Sequence, residues 1–338
     1  MSDFRNHTIE SDAEEFLNKL NKNSLLIYSE TSLKKINFCN DNVKRLNWHK
    51  ISKNINNINN VIDDNKNINQ VVSFGGGSTI DIAKYIAYKL GIKYICIPSM
   101  LSTNSYATDK AALIKEEQKV TLNAKLPDCV ILDCNLLKKS VTENLYGLAD
   151  VLSIYIALYD WKIASEDIGE RIEEKIFSMA LDLFYRVKSF ISSNTLEFIS
   201  DNVKQIFEYI GMSGYITNLY GTGRPESGSE HIFAKKIESI INVPHGIAVA
   251  LGIILMSIMQ ERDVDEIIYI IKKIKVLDRC EEYGINRSII EKSLLTVMPR
   301  NERYTIVNRF YNNNEYKIEK LQLFYQKINI KDEKYDFN

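Results

Sequence analysis

The hydrophobic pattern of this chain changes once, near residue 140, and that change constrains the fold more than any other feature. Before it, short apolar runs alternate with helical patterns such as Thr79–Leu90. The apolar runs predict strands at Ser24–Tyr28, Gln70–Phe74, Tyr94–Ile97 and Val130–Asp133. Strands that alternate with helices form βαβ units, and such units assemble a parallel sheet. The first 140 residues are therefore predicted to form an α/β domain.

The second part of the chain contains long helical patterns and no convincing strand pattern. The predicted helices are approximately Val141–Ser165, Glu170–Ser193, Phe198–Leu219, Ser229–Ile241 and Gly246–Gln260. The charged tail from Glu261 onward continues the helical periodicity. We therefore predict two domains, residues 1–140 and an all-α domain of residues 141–338. Because ligands of open α/β sheets bind outside the carboxyl ends of the strands, the site is expected between the two domains.

Composition excludes several classes of protein. Lys and Arg number 43 against 44 Asp and Glu, so the formal net charge of −1 offers no overall attraction for nucleic acid or an anionic membrane. The five cysteines include no CxxC pair, which argues against a disulfide framework and a zinc ribbon. Neither a signal-peptide core nor an apolar run of membrane-spanning length occurs in the sequence. These features predict a cytoplasmic protein that binds neither nucleic acid nor membranes.

A glycine-rich turn follows the second predicted strand, in the motif Val71–Asp81 (VVSFGGGSTID). Glycine permits positive φ and lets a phosphate approach the backbone. The free amides and the dipole of a following helix attract anions, and Ser78 or Thr79 could cap that helix. Three consecutive glycines in a chain that has only 14 favour phosphate binding over a plain tight turn.

Two of the four histidines lie in distinctive settings. His231 ends the segment SGSEH, and His245 lies in Pro-His-Gly, each near the start of a predicted helix. Fourteen residues separate them, enough for one helix and a return turn, so both imidazoles could converge. A divalent metal there would need a third ligand, and Asp150 is the candidate because it lies in an otherwise apolar helix. From spacing alone, metal binding and purely structural histidines are equally supported.

Together these motifs resemble the superfamily of metal-dependent alcohol dehydrogenases and dehydroquinate synthases. Three stretches look most like the glycerol-1-phosphate dehydrogenases within it: Gly147–Lys162 (GLADVLSIYIALYDWK), Arg224–His231 (RPESGSEH) and Pro244–Gly246 (PHG). The resemblance extends from about Ser24 to Gln260. It implies a Rossmann-like dinucleotide-binding domain of residues 1–140 and a helical domain of residues 141–338 that binds metal and substrate.

The resemblance implies specific site residues. Asp150, His231 and His245 match the ligands of one divalent metal, usually zinc, with nickel or iron(II) as alternatives. The cradle for the dinucleotide pyrophosphate matches Gly75, Gly76, Gly77 and Ser78. Asp81 in the same motif would brace the loop rather than touch the cofactor. A hydroxyl cluster after the third predicted strand could hydrogen-bond a carboxamide or ribose, at Ser99, Ser102 and Thr103.

Two further residues are candidates for contact with the substrate. Asn104 stands where the family pattern has an aspartate, and an amide cannot accept a proton as a carboxylate can, although it could hydrogen-bond a substrate hydroxyl. Lys110 lies where the dehydroquinate synthase branch has a lysine that contacts substrate anions, so it is either a phosphate-binding group or a solvated lysine beside Asp109. Arg224 is a weaker phosphate candidate, because Glu226 could neutralise it.

The resemblance predicts reduction of dihydroxyacetone phosphate to sn-glycerol 1-phosphate, reversibly, with NAD(P)H as hydride donor and a metal that polarises the ketone. Alternatives are a reductase of another phosphorylated ketose or polyol, which Asn104 favours, and a dehydroquinate synthase-like cyclase. The complete set of three metal ligands argues against a non-catalytic scaffold. The sequence is also compatible with a homo-oligomer.

The choice between NAD and NADP stays open in the sequence. The segment expected to read the adenosine ribose, Asn47–Lys50, contains no carboxylate to hold a 2′-hydroxyl. Lys50 and Lys53 would tolerate the 2′-phosphate of NADPH.

Overall fold

The structure is a computed structural model that describes residues 3–330. The described residues form two compact units, one within Met1–Asn144 and Ser200–Asn218, the other within Leu145–Ile199 and Leu219–Asn338. The first unit holds all the named strands of residues 3–330, and the second is helical. The assignment of a dinucleotide-binding role to residues 1–140 and of a metal-binding and substrate-binding role to residues 141–338 stays a prediction.

The strands are β1 Thr8–Glu10, β2 Ser24–Tyr28, β3 Lys44–Asn47, β4 Gln70–Gly75, β5 Lys93–Pro98, β6 Lys110–Lys115, β7 Gln118–Asn123 and β8 Cys129–Leu132. The helices are α1 Ala13–Asn18, α2 Glu30–Leu33, α3 Trp48–Ile51, α4 Ile55–Asp63, α5 Gly77–Leu90, α6 Cys134–Leu137, α7 Val141–Leu152, α8 Ile154–Ile168, α9 Glu174–Ser193, α10 Leu196–Asp201, α11 Val203–Tyr220, α12 Ser229–Glu238, α13 His245–Met259, α14 Asp265–Lys273, α15 Arg287–Leu295, α16 Ile306–Phe310 and α17 Asn314–Lys327. Short 3₁₀ turns occur at Phe4–His7, Ser105–Ala107, Lys138–Ser140, Val276–Arg279 and Glu281–Tyr283.

The first unit is built on a six-stranded parallel sheet in the order β1-β8-β5-β4-β2-β3. Its central strands are buried along their length, which is why they appear in the sequence as continuous apolar runs. The core of the sheet includes Leu26, Val72, Phe74, Ile95 and Ile97. Because all strands run the same way, the turns after β2, β4 and β5 lie at one edge of the sheet.

The sequence predicted the four central strands and missed the others. The missed strands β1 and β3 are short and pair at the two edges of the sheet, where alternation and burial are weak. Also missed is the antiparallel hairpin of β6 and β7, which turns at Glu116 and Glu117. Both glutamates have positive φ, so this turn lacks the Asn-Gly pattern that normally identifies a two-residue hairpin.

The second unit is organised around α13, which is buried at every residue from Gly246 to Met259. A helix that is apolar on all sides belongs in the interior of a protein. The single helix predicted for Val141–Ser165 is divided, because α7 ends at Leu152 and α8 begins at Ile154. Ser153 lies at this break, and its hydroxyl donates to the carbonyl of Glu226. Among residues 3–330, no helix has both the length and the apolarity needed to cross a bilayer.

Candidate functional site

Three side chains from three helices of the second unit meet at one point. Asp150 lies near the end of α7, His231 in the first turn of α12, and His245 at the start of α13. Asp150 Oδ1 is 3.1 Å from His231 Nε2 and 3.4 Å from His245 Nε2. All three atoms lie within 4.8 Å of one another, and within residues 3–330 this is the one group of three or more potential metal ligands of this kind. The structure thus brings together the three residues predicted to bind a metal.

Two glutamates that the sequence reasoning missed orient the imidazoles. His231 Nδ1 is 2.6 Å from Glu230 Oε1, and His245 Nδ1 is 2.6 Å from Glu238 Oε1. When Nδ1 carries the proton and donates it to a carboxylate, Nε2 presents its lone pair to a metal. Both Nε2 atoms face Asp150, so this donor set of two nitrogens and one oxygen suits a divalent ion such as zinc.

The charges of this site shift its pKa values strongly. Burial raises the pKa of Asp150, but hydrogen bonds from both imidazoles together outweigh it, and the pKa lies below its ordinary value. Burial lowers the pKa of His245, but its hydrogen bonds to Asp150 and Glu238 outweigh that and raise the pKa to about 10. The pKa of His231 is likewise raised, by Asp150 and Glu230 against the effect of burial. Without a metal, the carboxylates therefore favour the protonated form of both histidines.

We expect the affinity for zinc to rise with pH, because a metal must displace these protons. Below the raised pKa of His245, about 10, the proton is bound in the metal-free protein. The apparent affinity should therefore increase by up to about tenfold per pH unit for each proton displaced. Competition with a chelator at about pH 6 and about pH 8, around the range where histidine ordinarily titrates, measures this. The chelator titrated with zinc alone is the control, and an affinity independent of pH would contradict the interpretation.

Asp160 holds the first residue of α12, Ser229, which lies two residues before His231. Its Oδ2 accepts a hydrogen bond from the Ser229 amide at 2.6 Å, and its Oδ1 accepts from Gln260 Nε2 at 3.0 Å and the Ile306 amide at 2.9 Å. Asp160 is completely buried, and burial, followed by the negative charge of Glu230, raises its pKa to about 6. The carboxylate of Asp160 thus joins three segments of the second unit, at Ser229, Gln260 and Ile306.

Arg224 is occupied inside the same unit. Its guanidinium forms two hydrogen bonds to the carboxylate of Glu170, at 2.9 and 3.0 Å, and one to the carbonyl of Asp160 at 3.2 Å. The side chain is 3% exposed. Glu170, which the sequence did not suggest, is thus an anionic partner of Arg224. This pairing and the burial of the side chain argue against a phosphate-binding role for Arg224.

The glycine-rich turn joins β4 to α5 in the first unit. The helix begins at Gly77 with Gly76 as its N-cap, so the prediction that Ser78 or Thr79 caps it is wrong. None of Gly75, Gly76 and Gly77 has positive φ, so that reason for the glycines is wrong as well. They are required by close approach: a Cβ on Gly75 would lie 2.3 Å from Thr79 Oγ1, and one on Gly77 would lie 2.9 Å from Thr103 Oγ1.

This turn leaves the start of α5 available to an anion. Among the described residues, no side chain caps the first turn of α5, and the buried Oγ1 of Thr79 has no hydrogen-bond partner. The amides of the first turn and the dipole of a 14-residue helix favour a negative group there. Gly75, Gly76, Gly77 and Ser78 therefore fit the predicted pyrophosphate cradle.

The hydroxyl cluster after β5 divides into buried and accessible members. Ser99 is fully buried, its Oγ lies 2.7 Å from Ser32 Oγ, and its amide donates to the Gly75 carbonyl. Ser102 and Thr103 are partly exposed, and Thr103 Oγ1 donates to Ser105 Oγ at 3.1 Å. Their roles toward a cofactor stay predictions, and burial makes Ser99 the least accessible of the three.

Asn104 and Lys110 occupy different surroundings. Asn104 Nδ2 donates to Ser213 Oγ on α11 at 3.0 Å. Lys110 begins β6, and its Nζ contacts Asn123 Oδ1 at 2.8 Å and Asp109 Oδ1 at 3.2 Å. The catalytic roles of Asn104 and Lys110 stay predictions. The contacts of Lys110 with Asn123 and Asp109 favour the alternative that it is a surface lysine beside Asp109.

Asp81 braces the first unit, as expected. It pairs with Lys53 at 3.1 Å and with the fully buried Lys84 at 3.4 Å. Lys84 Nζ in turn donates to the carbonyls of Ser105 and Thr108. One carboxylate thereby connects α5 to the segment that follows Asn104.

Comparisons with known proteins agree with these features. A family model described as iron-containing alcohol dehydrogenase matches residues 8–140. The glycerol-1-phosphate dehydrogenase (NAD(P)+) of Metallosphaera sedula is 31% identical over 267 residues, 76% of this chain and 75% of that protein. The enzyme of the same name from Sulfurisphaera tokodaii is 31% identical over 248 residues, 71% of this chain and 69% of that protein.

Solved structures share the fold. A probable glycerol dehydrogenase from Sinorhizobium meliloti aligns with a TM-score of 0.70 at 18% identity, over 95% of this chain and 97% of that one. Maleylacetate reductase from Agrobacterium tumefaciens aligns with a TM-score of 0.59 at 13% identity, over 90% and 89% of the two chains. At such identities the likeness concerns the fold alone, and it confirms the predicted combination of a Rossmann-like sheet and a helical part.

Proposed function

Because this chain belongs to the glycerol-1-phosphate dehydrogenase family, we propose that it interconverts dihydroxyacetone phosphate and sn-glycerol 1-phosphate with NAD(P) as the hydride carrier. It is an NAD(P)-dependent oxidoreductase. The observation that carries the proposal is the convergence of Asp150, His231 and His245, with each imidazole held by its own glutamate. A purely structural histidine pair would not need both Nε2 atoms directed at one carboxylate oxygen.

We propose that Asp150, His231 and His245 hold the divalent metal of this site, with zinc as the first candidate and nickel or iron(II) as alternatives. When bound, such an ion acts as a Lewis acid toward a carbonyl oxygen. Glu230 and Glu238 keep the protons of the imidazoles on Nδ1 and thereby keep both Nε2 atoms available. Asp160 holds the amide of Ser229 and so fixes the position from which His231 projects.

We propose that the amides at the start of α5 hold the pyrophosphate of the dinucleotide, with Gly75, Gly76, Gly77 and Ser78 as the cradle. When bound there in its reduced form, the dinucleotide would supply a hydride to a carbonyl carbon, and a proton would complete the alcohol. Asn104 cannot supply that proton because its amide does not titrate, so solvent is the proposed source. Ser102 and Thr103 are the proposed hydroxyl contacts of the cofactor.

A second candidate function is reduction of another phosphorylated ketose. Asn104 is the observation that favours it, because it replaces the aspartate of the family pattern. A cyclase of the dehydroquinate synthase type is the third candidate. Such an enzyme would cause no net change in the amount of NAD, because NAD is reduced and then regenerated in each turnover.

Zinc-loaded protein should oxidise NADH or NADPH when dihydroxyacetone phosphate is added, because its family and its ligand set both specify this chemistry. The absorbance of the reduced nicotinamide measures the reaction. A chelator should abolish it and added zinc should restore it, while cofactor without ketone is the control. Protein that binds both zinc and dinucleotide but oxidises neither cofactor would overturn this substrate, and other ketose phosphates would then be tested in the same assay.

A further inference from the structure

We propose that Glu30 makes this protein selective for NAD(H) over NADP(H), by hydrogen-bonding the hydroxyls of the adenosine ribose and repelling a 2′-phosphate. The inference rests on the proposed dinucleotide-binding function and adds a specificity to it. The family name covers both cofactors, so the choice depends on the residues of the individual chain. Glu30 was not among the candidates that the sequence motifs suggested.

The strand order places Glu30 beside the glycine-rich turn. The strand β2 is the direct neighbour of β4, with Tyr28 opposite Phe74, and the Ser29 amide donates to the Phe74 carbonyl at 3.2 Å. Glu30 follows immediately and begins α2, so it lies at the same end of the sheet as the Gly75–Gly76 turn, beside the neighbouring strand. In dinucleotide-binding sheets, the acidic residue that binds the ribose 2′-hydroxyl occupies this relation to the glycine-rich turn.

The Glu30 carboxylate is exposed and is positioned by uncharged donors. Its Oε1 accepts from Asn47 Nδ2 at 3.1 Å and from the Tyr28 hydroxyl at 3.3 Å. Neither donor neutralises the charge, and burial followed by that charge raises the pKa of Tyr28, which keeps the phenol a donor. An oriented carboxylate at this edge of the sheet suits the vicinal hydroxyls of a ribose, which are two hydrogen-bond donors.

The basic residues considered in the sequence are less suited to a 2′-phosphate. Lys53 is engaged by Asp81 at 3.1 Å. Lys50 lies in α3, which follows the edge strand β3, and β3 is separated from β4 by β2. Arg45, on β3, stacks on the ring of Phe38 and pairs with Asp41 at 4.0 Å. The carboxylate of Glu30 therefore stands closer in the sheet to the cradle than these cations do.

Binding of the reduced dinucleotides, measured by nicotinamide fluorescence without metal or ketone, tests the proposal. The wild-type protein should bind NADH at least about tenfold more tightly than NADPH. With NADH the Glu30 carboxylate gains a charged hydrogen bond from the ribose, whereas with NADPH it meets the negative 2′-phosphate. Glu30→Gln should reduce this ratio by about tenfold or more. Glu30→Asp keeps the charge and should retain the rejection of NADPH.

Two matched variants separate the site from general charge effects. Glu117→Gln makes the same change in the hairpin turn of β6 and β7 and should leave the ratio unchanged. Lys50→Gln removes the cation that sequence reasoning favoured, and it should not raise the preference for NADH. A wild-type protein that binds NADPH as tightly as NADH, or a Glu30→Gln variant with the ratio of the Glu117→Gln variant, would overturn the proposal.

Failure of the proposed function can be distinguished from failure of the proposed role of Glu30. A protein that binds NADH selectively and does not reduce dihydroxyacetone phosphate would contradict the substrate and support the role of Glu30. A protein that binds neither dinucleotide would overturn the cradle and the role of Glu30 together.

Discussion

The Asp150→Asn variant should lose reductase activity to the background level, because it removes the charged ligand between the two histidines. Asp150 Oδ1 is the atom that both Nε2 atoms face, at 3.1 and 3.4 Å. Its amide counterpart has the same shape but is a poorer metal ligand. We expect the affinity for zinc to fall by more than about 100-fold, the upper end of what loss of an outer carboxylate costs. Chelator competition and the nicotinamide absorbance assay measure both effects.

Two variants calibrate this result. Asp182→Asn makes the same chemical change on the exposed surface of α9, where Asp182 pairs with Arg186, and should leave zinc affinity and activity unchanged. Glu238→Gln removes the orienting charge beside His245 and keeps all three ligands, so zinc affinity should fall by about 10- to 100-fold. Wild-type zinc affinity in the Asp150→Asn protein would show that the three residues do not form the metal site.

The Gly252→Ala variant should be the most destabilised single-methyl substitution at the crossing of α12 and α13. A Cβ at Gly252 would lie 2.6 Å from the carbonyl oxygen of Glu230 and 3.1 Å from its Cα. These atoms belong to the backbone, so no side-chain rotation can relieve the overlap and the two helices must separate. Overpacking of this kind costs about 1–3 kcal/mol and sometimes more, which exceeds the gain of about 1 kcal/mol for alanine over glycine in a helix.

Urea unfolding of the metal-free protein measures this destabilisation. The displacement also moves Glu230 and the adjacent His231, so zinc affinity should fall in the folded variant as well. Gly223→Ala is the matched control, because its Cβ would meet nothing closer than Arg303 Nη2 at 3.7 Å. That control should unfold within about 0.5 kcal/mol of the wild-type protein. Equal unfolding midpoints for the two variants would contradict the close packing of α12 on α13.

Much of the fold followed from local pattern. The predicted strand Ser24–Tyr28 coincides with β2, and the other central strands differ from prediction only at their ends. They were recognisable because a strand buried on both faces is apolar at every position. The same reasoning found α13. It failed for the edge strands β1 and β3 and for the hairpin of β6 and β7, because partly exposed strands and a Glu-Glu turn carry neither the apolar run nor the turn residues that identify such elements.

The candidate site likewise contains residues that the sequence predicted and residues that only the tertiary structure revealed. Residue types and motif spacing determined Asp150, His231 and His245 as candidates and the glycine-rich turn as a phosphate cradle. Only the tertiary structure decided which carboxylates orient the imidazoles, because Glu238 is brought to His245 by the return from α12 to α13. Strand order is likewise set by long-range pairing: β2, not β3, lies beside β4, and this pairing makes Glu30 the neighbour of the cradle. Sequence periodicity reports the burial of each strand but not its neighbours, and for that reason the proposed cofactor selectivity became visible only in the assembled sheet.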